Sequence, residues 1–157
     1  MDNQEYDAKV AWLRRYRQSL QRQRLLAEEL AERRAEAERI TPLLKLSAGG
    51  SPVRGAATPA DKLPRSVERI LAAEAELTAQ LARCEEARRE VLAALEQEQC
   101  EQRYELLYRR YILGHTFELI AAELHIEPRW ARRLHRKSIE NLKIDPQEAR
   151  KSPQKPY

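Results

Sequence analysis

The sequence predicts an all-α protein, a long antiparallel helical hairpin of coiled-coil type followed by a C-terminal helix-turn-helix. Three observations predict it. Charged residues make up 34% of the 157 residues, with only 4 glycines and 6% aromatics, a balance rich in Ala, Glu, Arg and Leu that favours long helices over sheets. Two long stretches repeat residues at alternating three- and four-residue steps, and a segment rich in Gly and Pro separates them. From Thr116 to Leu142 the pattern shortens to two helices around a three-residue turn, the second carrying arginines on one side. The length suits about one domain with a real core.

The first long stretch runs from about Asn3 to Ile40 without Gly or Pro. Its seam is Leu13, Tyr16, Leu20, Gln23, Ala27, Leu30, Arg34 and Ala37, interrupted at Gln23 and Arg34. A helix of that length spans about 55 Å at about 1.5 Å per residue, too long to stand without a partner helix. Prolines and glycines between Thr41 and Pro64 predict a mobile linker over about 41–64. A second helix follows, starting near Leu63 or Ser66 and ending near Glu98. Val67, Ile70, Leu77, Leu81, Cys84, Val91 and Leu95 mark its seam, and Glu74 and Arg88 interrupt it. Two seams joined by a loop predict the hairpin, with Gln23 or Arg34 meeting Glu74 or Arg88. Helix continues or restarts over Gln99–Leu113, where Tyr104, Leu107, Tyr108, Tyr111 and Ile112 form the apolar set, and Gly114 ends it. The expected divisions are therefore 1–98 for the hairpin, 99–143 for the helix-turn-helix and 144–157 for a disordered tail.

Within the last motif, Thr116 is a good N-cap, and Phe117, Ile120, Ala121 and Leu124 fall on one face of the helix after it. The turn is His125, Ile126 and Glu127. Pro128 opens the second helix, at the position where its missing N–H costs nothing. There Ala131, Leu134, Ser138 or Ile139, and Leu142 face the first helix. Arg129, Arg132, Arg133 and Arg136 lie opposite, at i, i+3, i+4 and i+7, with Lys137 beside them. Such a helix fits a major groove, where arginine bonds guanine edges and neighbouring cations hold phosphates. Charge agrees with that reading. From Glu127 onward there are nine basic and four acidic residues, so the preceding residues hold 20 and 21.

The run YELLYRRYILGHTFELIAAELHIEPRWARRLHRKSIENL, from Tyr104 to Leu142, resembles region 4 of bacterial sigma factors. It is more similar still to a family of small phage-associated proteins of Gram-positive bacteria, in which a helical hairpin with a Gly-rich linker precedes a region 4-like helix-turn-helix. The resemblance rests on Arg110, Tyr111 and Gly114, then Thr116, Ile120, Ala121 and Leu124, then Ser138 and Ile139, about a quarter of the chain. It implies a regulator of late transcription that binds double-stranded promoter DNA in the bacterial cytoplasm at the nucleoid, with RNA polymerase a second candidate partner and the hairpin a candidate homodimer surface. Carried over by position, Pro128, Arg129, Arg132 and Arg133 face DNA, and Arg136 and Lys137 hold phosphate. The chain departs from the family pattern at Leu119, His125, Glu127 and Trp130.

A phage assembly or DNA-packaging subunit of small-terminase type, or a coiled-coil scaffold, are the alternatives. Catalysis is not expected, since no nucleophile with a base, paired carboxylates or phosphate-cradling loop appears. No cofactor or metal is expected either. Cys84 and Cys100 lack CxxC spacing and read as idle thiols, and His115, His125 and His135 read as turn or surface residues. Trp12 and Trp130 read as packing residues, and Arg110 as holding phosphate or bracing the fold through a partner such as Glu123. The polar start and the lack of any run of about 18 apolar residues predict a cytoplasmic protein that does not span a membrane.

Overall fold

The computed structural model describes residues 1–47 and 59–145, and these form helices with no strand among them. The elements are α1 (Asn3–Leu13), α2 (Arg15–Ser47), α3 (Pro59–Leu95), α4 (Glu101–Tyr108), a π-helical turn (Arg109–Leu113), α5 (Phe117–Glu123) and α6 (Pro128–Asn141). No helix among the described residues is long and apolar enough to cross a membrane.

The single helix expected over Asn3–Ile40 is divided at Arg14, although Arg14 N–H still reaches the Val10 carbonyl at 3.1 Å and Gln18 N–H the Arg14 carbonyl at 3.0 Å. Helix also extends into the expected linker from both sides. α2 continues past Pro42 to Ser47, and α3 starts at Pro59, at a first-turn position where proline is pre-set for helix. The rest of that linker, 48–58, and the tail over 146–157 lie outside the described residues. The tail's first residues are ordered, and Ile144 is buried.

Two compact units make up the chain, one of Met1–Leu20 with Arg83–Tyr157, the other of Gln21–Ala82. In the second, positions 23, 26, 30, 33, 37 and 40 on α2 and 63, 66, 70, 73, 77 and 80 on α3 are buried or half-buried and step by three and four, with Glu36 and Glu74 half-buried beside them. At most alternate positions the seam lies one residue earlier than the apolar pattern suggested. Leu26 and Arg33 replace Ala27 and Arg34, Ser66 and Gln80 replace Val67 and Leu81, and Ala73 joins Glu74. In this register Arg34 and Glu74 pair at 2.9 Å beside the seam. One consequence is that Val67, Leu71 and Leu81 are left exposed on α3.

The first unit has the larger core. Trp12 and Leu13 arrive from α1, Val91, Ala94 and Leu95 from α3, Leu106 and Leu107 from α4, and Tyr111 and Ile112 from the π-helical turn. Ile120 and Ala121 close it from α5, and Ala131, Leu134 and Ile139 from α6, with Leu142 and Ile144 beyond. Each fully buried leucine contributes about 2 kcal/mol by area, an upper value because the unfolded chain is already partly collapsed. The Gln97 side chain ties this end of α3 to the stretch after α6, donating to the Lys143 carbonyl at 3.3 Å and accepting from its N–H at 3.0 Å.

Candidate nucleic-acid interface

Two punctuating residues position the α5–α6 pair. The π-helical turn ends at Gly114, whose φ of 75° lies in the left-handed region, and the His115 N–H returns to the Arg109 carbonyl at 2.9 Å. Thr116 then caps α5, its hydroxyl accepting from Leu119 N–H at 3.3 Å. At the far end of α5 the chain reverses through His125, the one non-glycine residue of positive φ among those described, at 53°. Glu127 occupies the cap position of α6 without a side-chain hydrogen bond, and Pro128 opens the helix.

A carboxylate network locks α5 to the π-helical turn. Glu123 accepts from Arg109 at 2.8 Å and from His115 Nδ1 at 3.0 Å, and Arg109 also pairs with Glu105 at 2.7 Å. Arg109 therefore fills the bracing role that the sequence suggested for Arg110. Adjacent residues point about 100° apart around a helix. Arg110 accordingly turns elsewhere, donating to the His115 carbonyl at 2.9 Å and lying 4.5 Å over the Phe117 ring.

α6 is sharply two-sided. Ala131, Leu134, His135, Ser138 and Ile139 are buried, and Ser138 satisfies its hydroxyl on the Leu134 carbonyl at 2.8 Å. Pro128, Arg129, Arg132, Arg133, Arg136 and Lys137 are all exposed. The ion pairs sort these cations into two rows. Arg132 bonds Glu118 of α5, and Arg136 bonds Glu140 at 3.3 Å. The Arg132 guanidinium, by hydrogen bonding, helps hold the Glu118 carboxyl below its ordinary range, after the larger effect of its own backbone N–H. By contrast Arg129, Arg133 and Lys137, spaced i, i+4 and i+8, have no carboxylate within ion-pair distance among the described residues. Trp130, expected to pack, is 48% exposed beside them, whereas Trp12 is buried.

His135 overturns the expectation of a surface or turn histidine. It is 4% exposed, with Tyr111 Oη 2.7 Å from Nε2 and Tyr6 Oη 3.2 Å from Nδ1. A neutral imidazole has one donor and one acceptor nitrogen, so one tyrosine donates to it and the other accepts from it. Burial, aided by the nearby Arg110 and Arg14 charges, pushes its pKa down to about 4. Burial likewise raises both tyrosine hydroxyls. Sequence periodicity could not signal this, because Tyr6 reaches His135 across 129 residues of chain.

Arg14 and Arg110 also come to α6, lining one cleft with Arg132, Arg133 and Arg136. Arg14 escaped the sequence reading, since it belongs to the far end of the chain. Cys84 and Cys100 are free thiols, Cys84 buried, and among the described residues no three His, Cys, Asp or Glu side chains gather as a metal ion would require. Compared with models of known families, with curated proteins and with solved structures, the chain matches none.

Proposed function

We propose that this chain is a DNA-binding transcription regulator of the phage type, whose α5 and α6 act as a region 4-like helix-turn-helix with α6 in the major groove of promoter DNA. The observation that carries this reading is the row of cations at Arg129, Arg133 and Lys137, exposed on the side of α6 opposite its buried face and with no carboxylate within ion-pair distance among the described residues. Arg129 and Arg133 reach base edges, where a bidentate arginine contact is worth about 1–3 kcal/mol of discrimination. Pro128 and Arg132 lie on the same DNA-facing surface, and Arg136 and Lys137 hold phosphates. The reading is of a binding protein, not an enzyme, working at the bacterial nucleoid with RNA polymerase as a second partner.

In this proposal α2 and α3 form an antiparallel hairpin. Two ion pairs support it: Arg15 with Glu90 and Arg34 with Glu74, so that moving forward along α2 means moving backward along α3. The exposed Val67, Leu71 and Leu81 on α3 support a homodimer through that hairpin. The same exposed residues would serve an assembly or packaging subunit. Mass in solution separates the two readings, because a ring of many subunits excludes the regulator and a dimer excludes the ring.

The direct test replaces Arg129 and Arg133 together by Ala in the full chain. Preference for the target promoter over unrelated DNA is then lost while the helical circular dichroism is unchanged, and unchanged preference refutes the proposal. Each phosphate contact adds about −0.9 to the slope of log affinity against log salt. Lys137→Ala therefore flattens that slope by about one unit with little change in sequence preference.

A further inference from the structure

The first unit contains a cleft of about 630 Å³, within the range of small-molecule sites, between α1 and α6. Its charge is lopsided. Five arginines line it, Arg14, Arg110, Arg132, Arg133 and Arg136, against one carboxylate, Asp7. Two of the five are engaged by carboxylates on their own side, Arg132 by Glu118 and Arg136 by Glu140. Among the described residues Arg14, Arg110 and Arg133 have no carboxylate within ion-pair distance. Guanidiniums from the junction after α1, the π-helical turn and α6 thus line one concave surface whose walls focus their field.

The floor adds no compensating charge. There His135 is held between the hydroxyls of Tyr6 and Tyr111, neutral well below pH 7. Arg110 is tied to the His115 carbonyl and the Phe117 ring, whereas Arg14 and Arg133 are exposed, so apolar packing does not account for those two lining the cleft. What satisfies this arrangement is an anion with several oxygens, since guanidiniums bind phosphate oxygens in pairs through charge-assisted hydrogen bonds.

We propose that this cleft is a binding site for a small polyphosphate anion of nucleotide size, with the phosphate chain held by Arg14, Arg110 and Arg133. A nucleoside triphosphate matches both the cleft's excess positive charge and its volume. The same phosphate chemistry is also present in a DNA backbone, so the test separates the two sources. This inference does not rest on the DNA-binding reading. Because Arg133 belongs to both surfaces, the two readings together make the anion a competitor of DNA.

The experiment is calorimetric titration of the full chain with ATP, with adenosine and, separately, with a duplex oligonucleotide. The variants are Arg14→Gln, Arg133→Gln and, as a charge-matched control, Arg89→Gln, exposed on α3 and not lining the cleft. ATP is expected to bind and adenosine not to bind. Arg14→Gln and Arg133→Gln should each weaken ATP by about tenfold, the scale of one lost charge-assisted contact, with unchanged circular dichroism, and Arg89→Gln should have no such effect. The proposal is overturned if ATP binds no better than adenosine, or if ATP affinity survives both cleft substitutions. It is overturned too if Arg14→Gln weakens the duplex while ATP does not bind, which would assign the cleft to DNA phosphates. Loss of duplex binding with ATP binding intact would remove the regulator reading and leave the anion site standing.

Discussion

A histidine wedged between two tyrosine hydroxyls and two arginines has to stay neutral, and for His135 this has a measurable consequence. Its pKa falls from the ordinary 6.5 to about 4 in the folded state. Between those values the unfolded chain binds a proton that the folded chain does not, so stability is complete above about pH 6.5 and is lost as pH falls toward 4. From pH 7.5 to pH 5 the His135 contribution drops by about 2 kcal/mol. Urea midpoints at the two pH values, compared between the natural chain and His135→Phe, check it: the variant should lose that part of the pH dependence, and an unaltered dependence would contradict the assignment. Gly114 and His125 form a second pair of residues with opposite expectations. A Cβ at Gly114 would sit 2.5 Å from the Arg17 guanidinium, which donates to the Ile112 carbonyl at 3.2 Å, and φ there is positive. Gly114→Ala should therefore cost about 1–2 kcal/mol. His125→Gly relieves a left-handed side chain and should gain about 0.5–1 kcal/mol. Thermal melts of both variants decide the matter, and shifts of the same sign would refute the backbone argument.

At the scale of the element, α6 is charged against its own dipole. Arg129 lies in the first turn, where the helix end is already positive, and Glu140 lies in the last, where it is negative. Helix stability alone would favour the reverse. Arg129→Glu should thus raise stability by about 0.5 kcal/mol while abolishing the proposed DNA binding, a separation readable by melting and by gel shift. The α5 helix depends instead on its cap: with seven residues it is too short to persist alone, and Thr116→Ala should cost about 1 kcal/mol. Much at this scale could be read before the structure. Thr116, Gly114 and Pro128 occupy the boundary positions their chemistry demands. The seam of α2 and α3 was readable in period but not in register, because two adjacent residues compete for alternate positions and local periodicity does not decide between them.

For the whole molecule, the compact unit that carries α6 is closed by α1 and by the last turns of α3. Trp12 and Leu13 fill its core, Tyr6 holds His135, and Val91, Ala94 and Leu95 arrive from the end of α3. A segment limited to residues 98–157 lacks all of these. It should show little cooperative melting, whereas the full chain should melt cooperatively; a sharp transition in the fragment would show that the core needs neither α1 nor α3. The cleft follows from the same closure, since Arg14 meets Arg110 and Arg133 only where α1 lies along α6.

The sequence by itself determined the helical class, the seam period, the caps around α5 and α6, and the exposed cation row, since each depends on residues a few positions apart. Tertiary structure alone decided the burial of His135, the assignment of Glu123 to Arg109, and the pairing of some α6 arginines but not others. It also decided the convergence of Arg14 on the cleft. Those outcomes depend on contacts between residues far apart in the chain, whose distances local periodicity does not encode.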